Sequence, residues 1–217
     1  MTRPLVFATR NKGKLVELRE LLAGIQVLAI DEVGVAVPEV VEDADTFVGN
    51  AAKKACEVSA ATGLPVLADD SGFEVDALGG APGVASAHYA AVKRRVADRE
   101  GHRRVQDAAN NALLVDRLRG IADRRARFVS TIVAVRSADD PEPLIAVGRW
   151  HLEVLEAPRG EGGFGYDPLV LAPAFGKTVA ELAPEVKNRV SHRAQAAERM
   201  LALLCDEWRL ADASARG

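Results

Sequence analysis

The sequence predicts an α/β fold with a mixed central β-sheet flanked by helices. Short apolar runs at residues 5–8 and 65–70 lead directly into polar or charged residues, as strands of an α/β sheet do at their carboxyl ends. Residues 127–135 and 144–155 are long, rich in β-branched residues and joined by the turn-forming segment 138–141, which predicts a hairpin. A hairpin within an α/β fold makes the sheet mixed.

The strand at residues 5–8 is followed at once by a helix that Gly24 is expected to end. Four leucines fall on one face of this helix: Leu15, Leu18, Leu21 and Leu22. Residues 26–30 then predict a second strand.

A longer helix is expected to begin at a cap formed by Asp45 or Thr46 and to end near Gly63. Its inward positions are Phe47, Ala51, Ala55 and Val58. The third strand is expected at residues 65–70; a bulge or turn at residues 71–72 could follow it, and residues 78–83 predict a tight loop.

The middle of the chain contains a basic segment, residues 93–104, with no apolar stripe, which predicts an exposed loop or a solvated helix. Ser191 can cap a final helix whose buried face contains Ala197, Leu201, Leu204 and Trp208. Residues 211–217 are expected to form a flexible tail. Since no linker interrupts residues 1–210, we expect one domain, in which any two lobes share one sheet.

The charge balance argues against a polyanionic polymer partner. Lys and Arg number 28 and Asp and Glu number 31, for a formal net charge of -3, so phosphate binding has to be local. Only four apolar residues, 5–8, follow the N-terminal Met-Thr-Arg-Pro, too few for a signal sequence or a membrane span. We therefore expect a cytoplasmic protein with no membrane and no nucleic-acid partner.

Residues 9–14, Thr-Arg-Asn-Lys-Gly-Lys, lie between the first strand and the first helix. Backbone N–H groups at a helix start attract phosphate, and Lys14 adds a positive charge. A polar turn with solvated cations is an equally good interpretation of this pattern alone.

Asp69 and Asp70 stand at the end of the third predicted strand. Because adjacent strand residues point to opposite faces, only one of them can dominate a given pocket unless the backbone turns at Ser71. Carboxylates suit Mg²⁺, and Glu42, just before a helix, is a second oxygen donor. The alternatives are a turn with solvated acids and an ordinary acidic helix start.

Two further segments carry candidate substrate-binding residues. Residues 162–168, Gly-Gly-Phe-Gly-Tyr-Asp-Pro, here called the glycine loop, offer Phe164 or Tyr166 for stacking on a base and Asp167 for reading its edge, although a tight corner would have the same composition. Lys187 and the 191–193 segment, Ser-His-Arg, could close over phosphates or base, or could simply form a capped helix start.

Other catalytic motifs do not fit their context. Residues 160–165 match G-x-G-x-x-G, but Tyr-Asp-Pro follows where a helix should begin. Residues 176–178 lack the earlier glycine of a phosphate-binding loop, and no Gly-x-Ser-x-Gly elbow is present, so covalent catalysis is not expected.

Five motifs occur in order along the chain: T-x-N-x-G-K, A-D-D-S-G, L-G-G-A-P-G, G-G-F-G-Y-D-P and K-x-x-x-S-H-R. Together they resemble the inosine/xanthosine triphosphate pyrophosphatase family, from Leu5 to about Leu204. The resemblance implies an elongated mixed sheet with two lobes around a nucleotide-binding cleft, and a homodimer. It also implies hydrolysis of ITP, dITP and XTP to the nucleoside monophosphate and pyrophosphate.

The same resemblance implies roles for individual residues. Asp70 would be the proton acceptor and, with Glu42, would bind Mg²⁺. The triphosphate and the rest of the substrate would be bound by Thr9, Arg10, Asn11, Lys12, Gly13, Lys14, Ser71, Phe164, Gly165, Tyr166, Asp167, Lys187, His192 and Arg193. A pocket that donates hydrogen bonds to the 6-oxo group would leave those donors unpaired with ATP.

Two features depart from the family's pattern. His88 occupies a place where relatives usually have Arg, and the basic segment makes this part of the chain longer than expected. A pH-sensitive contact would follow if that position contributes to the site. We interpret the longer segment as a surface insertion.

Two other functions compete with this one. A pyrophosphatase for pyrimidine or methylated triphosphates would share most of the motifs. A nucleotide- or RNA-binding module could use the basic segment and the glycine loop, but the chain has neither a basic excess nor repeated aromatics.

Overall fold

A computed structural model describes residues 4–22, 24–92 and 98–210 of the 217-residue chain. The helices in these ranges are α1 (Lys12–Leu21), α2 (Phe47–Thr62), α3 (Arg99–Arg117), α4 (Pro184–Val190) and α5 (His192–Asp206). The strands are β1 (Leu5–Phe7), β2 (Val27–Ala29), β3 (Val66–Val75), β4 (Pro82–Gly83), β5 (Arg125–Val135), β6 (Leu144–Val154), β7 (Val170–Ala172) and β8 (Lys177–Thr178). None of these helices is both long enough and apolar enough to cross a bilayer.

The strands form one mixed sheet in the order β2-β1-β3-β5-β6-β7-β8, with β4 paired to β3. β1 is parallel to β2 and β3, whereas β7 is antiparallel to β6 and β8. β5 and β6 are neighbours, and the N–H of Val154 donates to the carbonyl of Arg124 at the end away from the connecting turn. The predicted α/β class, mixed sheet and hairpin are therefore confirmed.

The chain divides into two compact units. Unit 1 consists of Met1–Ser71, Ser130–Arg149 and Val190–Gly217, and unit 2 of Gly72–Val129 and Trp150–Arg189. β3, β5 and β6 contribute residues to both. The predicted tail at 211–217 lies outside the described residues.

Unit 1 contains two hydrophobic clusters, one packed against α1 and α5 and the other against α2. One cluster joins β1, α1 and α5 through residues such as Phe7, Leu18 and Met200, and the other packs α2 against β1 and β3 through Ala51 and Ala55. Thr46 caps α2, its hydroxyl oxygen accepting from Gly49 N, and Gly63 ends the helix with φ 67°. Both predicted ends of this helix are confirmed, because both are set by local residues.

Unit 2 buries a core around Phe73, which stacks on Tyr166 with ring centroids 4.9 Å apart and also contacts Phe128. α3 packs on this unit through Leu114 and Leu118, which are fully buried. The first residues of α3 fall in the basic segment, for which a solvated helix was one of two alternatives, whereas no element was predicted for residues 105–117. Residues 93–97 of that segment lie outside the described part.

One prediction about β3 is wrong. The strand does not end at Asp70 but runs on through Ser71 to Val75, where Phe73 and Glu74 pair with β4. Pairing with β4 and burial of Phe73 outweigh the local turn preference of Asp-Ser-Gly.

Candidate active site

The start of α1 is capped by its own sequence. The Asn11 side-chain oxygen accepts from Gly13 N at 3.0 Å and from Lys14 N at 3.3 Å, and the Thr9 hydroxyl accepts from Asn11 N at 3.2 Å. These N–H groups, which were predicted to be available to phosphate, are therefore already hydrogen-bonded. A phosphate here would be held by side chains or would have to replace the Asn11 cap.

The cations of this segment face different partners. Arg10 donates to the carbonyl of Val37 at 2.7 Å, whereas the Lys14 ammonium lies 2.8 Å from the Asp69 carboxylate. The side chain of Lys12 lies outside the described part of the structure. Lys14 is thus the cation that joins this segment to the β3 carboxylates.

Asp69 and Asp70 point to opposite faces of β3, as strand geometry requires. The Asp69 side chain is 2% exposed and lies between Lys14, at 2.8 Å, and the Arg193 guanidinium, at 3.6 Å. The Ser71 hydroxyl donates to the same carboxylate at 3.3 Å and lies 3.2 Å from the Ser130 hydroxyl. Asp69 is therefore the centre of a buried ion-pair cluster.

Charge decides the ionisation of this cluster. Burial by itself would raise the pKa of Asp69, but the cations Lys14 and Arg193 outweigh it and hold that pKa far below its usual range. Burial would lower the pKa of Arg193, but the carboxylates of Asp69 and Glu17 outweigh it and raise that pKa. Glu17 of α1 is 2.5 Å from the Arg193 guanidinium, so Arg193 has two carboxylate partners.

Asp70 has a different environment. Its carboxylate accepts from the Asn50 amide at 3.2 Å and from Ser71 N at 2.9 Å. Burial raises the pKa of Asp70 from 3.8 to about 6; Lys54 acts in the opposite direction and the negative charge of Glu42 adds to the rise. Asp70 is the weaker acid of the two neighbouring aspartates and is close to the range of a general base at neutral pH.

Lys54 links the parts of this second cluster. Its ammonium lies 3.0 Å from the Glu42 carboxylate and donates to the Asp69 carbonyl at 2.9 Å. Asn50 and Lys54 are four residues apart on α2, so they share one helix face. The i, i+4 spacing of an amide and a lysine on the helix before β3 was a signal in the sequence that the prediction did not use.

Carboxylate oxygens from Asp70 and Glu42 are the donors in this cluster that suit Mg²⁺. No group of three or more His, Cys, Asp or Glu residues within 4–22, 24–92 and 98–210 could hold a metal by itself. Mg²⁺ fits nevertheless, because it keeps water ligands and is usually held by one or two carboxylates together with substrate phosphates.

The start of α5 brings Arg193 to the ion-pair cluster. Ser191 caps the helix by accepting from Ala194 N at 3.1 Å, as predicted, and His192 and Arg193 are buried. A Cβ on Gly148 of β6 would lie only 1.9 Å from the carbonyl oxygen of His192. Only glycine at 148 allows the first turn of α5 to lie this close to the strand.

In unit 2 the glycine loop holds an exposed aromatic ring. Phe164 is 46% exposed, and Lys187 of α4 lies 4.7 Å from its ring centroid. The buried Asp167 accepts from Lys187 at 2.7 Å and from Phe164 N at 3.0 Å. A Cβ on Gly163, which has φ 71°, would lie 2.2 Å from the Asp167 carboxylate, so the loop requires glycine there.

Of the two rings expected to stack on a base, the structure leaves only Phe164 accessible. Tyr166 is 5% exposed, stacks on Phe73 and donates its hydroxyl to the Ser86 carbonyl at 2.9 Å. Burial raises the pKa of Tyr166, so its hydroxyl stays protonated. His88 is exposed in the short turn Ser86–His88 of the same unit.

Gly165 is held from α3. Its N–H donates to Asp107 and its carbonyl accepts from Asn111, both at 2.9 Å. The Arg103 guanidinium of the same helix lies 4.6 Å from the Phe164 ring centroid. None of these three α3 residues was predicted to belong to the site.

The predicted residues thus form two clusters, one in each unit. Unit 1 contains residues 9–14, Glu42, Asp70, Ser71, His192 and Arg193, and adds Asp69, Lys54, Asn50 and Glu17, which were not predicted. Unit 2 contains the glycine loop and Lys187. The first cluster has the chemistry of a phosphate and cation site, and the second that of a site for a flat ring.

Comparison with known proteins identifies relatives over nearly the whole chain. The sequence profile of the Ham1 family matches residues 5–203. The chain is 57% identical over 204 residues to a protein of Methylibium petroleiphilum named dITP/XTP pyrophosphatase, covering 94% of this chain and 98% of that protein. A relative with the same name from Leptothrix cholodnii is 55% identical over 210 residues, covering 95% and 99%.

Solved structures of Ham1 proteins also superimpose on this chain. A HAM1 protein from Coxiella burnetii superimposes with a TM-score of 0.83 at 38% identity, covering 94% of this chain and 100% of that one. The Ham1 protein of Staphylococcus aureus superimposes with a TM-score of 0.80 at 35% identity, with the same coverage. This chain belongs to the Ham1 family.

Proposed function

We propose that this protein is a nucleoside triphosphate pyrophosphatase that hydrolyses ITP, dITP and XTP to the nucleoside monophosphate and pyrophosphate, and so removes aberrant purine nucleotides from the nucleotide pool. The observation that carries the proposal is Asp70, a partly buried carboxylate with a raised pKa, beside a cluster of fixed cations. The names of the close relatives support the substrate class.

Asp70 would serve as the proton acceptor. A carboxylate with a pKa of about 6 is ionised at neutral pH yet is more basic than an exposed aspartate. It would orient a water molecule and take its proton as the oxygen attacks the α-phosphorus, and pyrophosphate would leave. The protein would then supply position and charge rather than a covalent intermediate.

The cations of unit 1 would bind the triphosphate. Lys14 is partly exposed and is held at 2.8 Å by Asp69, so its ammonium keeps a fixed position. Thr9, Arg10, Asn11, Lys12 and Gly13 would contribute their side chains or backbone, with phosphate replacing the Asn11 cap where needed. Arg193 and His192 are buried, so they would act at the inner edge of this phosphate site.

Mg²⁺ would be held by Asp70 and Glu42, and when bound it would neutralise charge on the phosphates. Both carboxylates already interact with Lys54 or with each other, and a cation would relieve the repulsion that helps to raise the pKa of Asp70. Ser71 would fix the strand here, since its hydroxyl contacts Asp69 and its N–H donates to Asp70.

The glycine loop would bind the purine. Phe164 offers the accessible ring for stacking, and Asp167 and Lys187 form a charged pair at its edge. Tyr166 and Gly165 would contribute through the backbone that they fix. The protein would act as a cytoplasmic homodimer, with residues 1–210 as one functional domain.

Pyrophosphate release from a nucleotide panel tests the proposal. ITP, dITP and XTP should be hydrolysed in Mg²⁺ and not in EDTA, whereas ATP, GTP and dTTP should be poor substrates. Turnover of dTTP comparable to that of ITP would favour a pyrimidine-directed enzyme, and no release from any nucleotide would favour simple binding. Light scattering after gel filtration measures the oligomeric state.

A further inference from the structure

One face of α3 contacts the glycine loop through three consecutive turns of the helix. Arg103, Asp107 and Asn111 are spaced four residues apart, so they project from the same side. Arg103 lies over the Phe164 ring, while Asp107 and Asn111 bind the N–H and the carbonyl of Gly165. Two adjacent loop residues are thus fixed by one rigid element.

The backbone of the loop leaves little conformational freedom around Phe164. Gly163 and Gly165 both have positive φ, 71° and 61°, and the Asp167 carboxylate accepts from Phe164 N. With the backbone fixed, the remaining freedom is the rotation of the Phe164 side chain itself. Contacts to the ring therefore determine where this exposed aromatic surface lies.

Two cations contact that ring, and they differ in their other partners. Lys187 is already paired with Asp167 at 2.7 Å. Arg103, by contrast, has no carboxylate within ion-pair distance among residues 4–22, 24–92 and 98–210, and the Phe164 ring is the contact that its guanidinium makes there. Its neighbour Arg104 pairs with Glu100 instead.

We propose that Arg103 is a positioning residue for base recognition: its guanidinium holds the Phe164 ring in the orientation that receives the purine. This rests on the proposed function, in which Phe164 contacts the base. It gives a role to the basic segment, residues 93–104, which the sequence alone suggested was only a surface insertion. The guanidinium acts through the ring and takes no part in the chemistry at phosphorus.

The proposal predicts a change in KM without a change in kcat. Arg103→Ala should raise the KM for ITP by about threefold, the scale of one exposed cation–π contact, and leave kcat unchanged. Arg103→Lys, which keeps a cation over the ring, should recover part of this loss. Arg104→Ala removes the same charge one residue away and should leave KM unchanged.

Inorganic triphosphate separates positioning of the base from general attraction of anions. Triphosphate has no base, so as a competitor of ITP it should have the same inhibition constant for wild type and Arg103→Ala. In a Phe164→Leu background, Arg103→Ala should have no further effect on KM, because the ring through which it acts is gone. Thermal unfolding should give equal midpoints for the Arg103 and Arg104 variants, since both side chains are exposed.

Several results would overturn the inference. An equal rise in KM for Arg103→Ala and Arg104→Ala, weaker inhibition by triphosphate, or full additivity with Phe164→Leu would each show that Arg103 acts as a charge and not through the ring. Failure of the proposed function looks different: ITP would not be hydrolysed by the wild type, or Phe164→Leu would not change its KM.

Discussion

Replacing Asp70 with asparagine should make the metal-free protein more stable while removing its activity. In the folded protein the pKa of Asp70 is raised to about 6 from 3.8, so between these values the native state binds more protons than the unfolded state. The free energy of unfolding then falls as pH rises through this window, and the loss is complete above pH 6. At about 1.4 kcal/mol per pH unit, the ionised carboxylate costs roughly 3 kcal/mol at pH 7.5.

Asparagine cannot ionise, but it also loses one interaction. Its amide would place an NH₂ group where an Asp70 oxygen now accepts from Asn50, which costs ~1 kcal/mol. The net gain in the free energy of unfolding should therefore be ~2 kcal/mol at pH 7.5, should vanish near pH ~4.5, and should become a loss of up to ~1 kcal/mol at lower pH. Turnover of ITP should fall by ~100-fold or more, the usual scale for removing a general base.

Urea denaturation in EDTA between pH 5 and pH 8 measures this effect, with circular dichroism to show that the variant is folded. Added Mg²⁺ should raise the unfolding midpoint of the wild type more than that of Asp70→Asn, because the variant lacks one of the two carboxylates proposed to bind it. The reasoning fails if wild type and variant show the same pH dependence of stability in EDTA, or if a folded Asp70→Asn protein keeps near-normal turnover.

The neighbouring substitution should act in the opposite direction. Asp69→Asn leaves Lys14 and the buried Arg193 without their shared carboxylate and should lower the free energy of unfolding by ~3 kcal/mol at pH 7.5, measured by urea denaturation. An unchanged midpoint would show that these ion pairs contribute nothing. Gly148→Ala should destabilise the protein by about 1–3 kcal/mol and lower kcat/KM for ITP, because the added methyl group overlaps the first turn of α5. A thermal midpoint equal to that of the wild type would contradict this close approach. Tyr166→Phe should lower the free energy of unfolding by ~1 kcal/mol, because the hydrogen bond to the Ser86 carbonyl is lost, and should leave the KM for ITP unchanged. A tenfold rise in KM would mean that the hydroxyl contacts substrate.

The elements that the sequence predicted well are those whose ends are set locally. Thr46 and Ser191 cap their helices within three residues, and Gly63 ends α2 with a left-handed conformation that favours glycine. The apolar spacing in between fixes which face is buried. Such features need no knowledge of the rest of the chain.

The greater part of α3, residues 105–117, was missed because its buried face is partly polar. Gln106 and Asn110 are buried and bind each other and the backbone around Ser86 and Ala90, so amides occupy positions where hydrophobic periodicity requires apolar residues. The partners that satisfy these amides are far away in sequence. A pattern based on hydrophobicity alone cannot recognise such a helix.

The sequence predicted which types of residue form the candidate site, but not which of these residues pair with one another. Strand geometry indicated that Asp69 and Asp70 diverge, yet nothing local indicated that Asp69 is the one that meets Lys14 and Arg193. That choice depends on how α1 and α5 pack against β3. Similarly, the exposure of Phe164 and the burial of Tyr166 depend on Phe73, a residue of another strand.

The alternation of side chains along β3 makes the strand intolerant of length changes. One carboxylate is a permanently charged structural ion and the next is a weak acid left ready to exchange a proton, and only the pleat keeps them apart. Inserting or deleting a single residue between Val66 and Ala68 would exchange the faces of the two side chains, so that Asp70 would point towards Lys14 and Arg193 and Asp69 towards the proposed metal site. We therefore expect this short stretch to accept changes of side chain far more readily than changes of length.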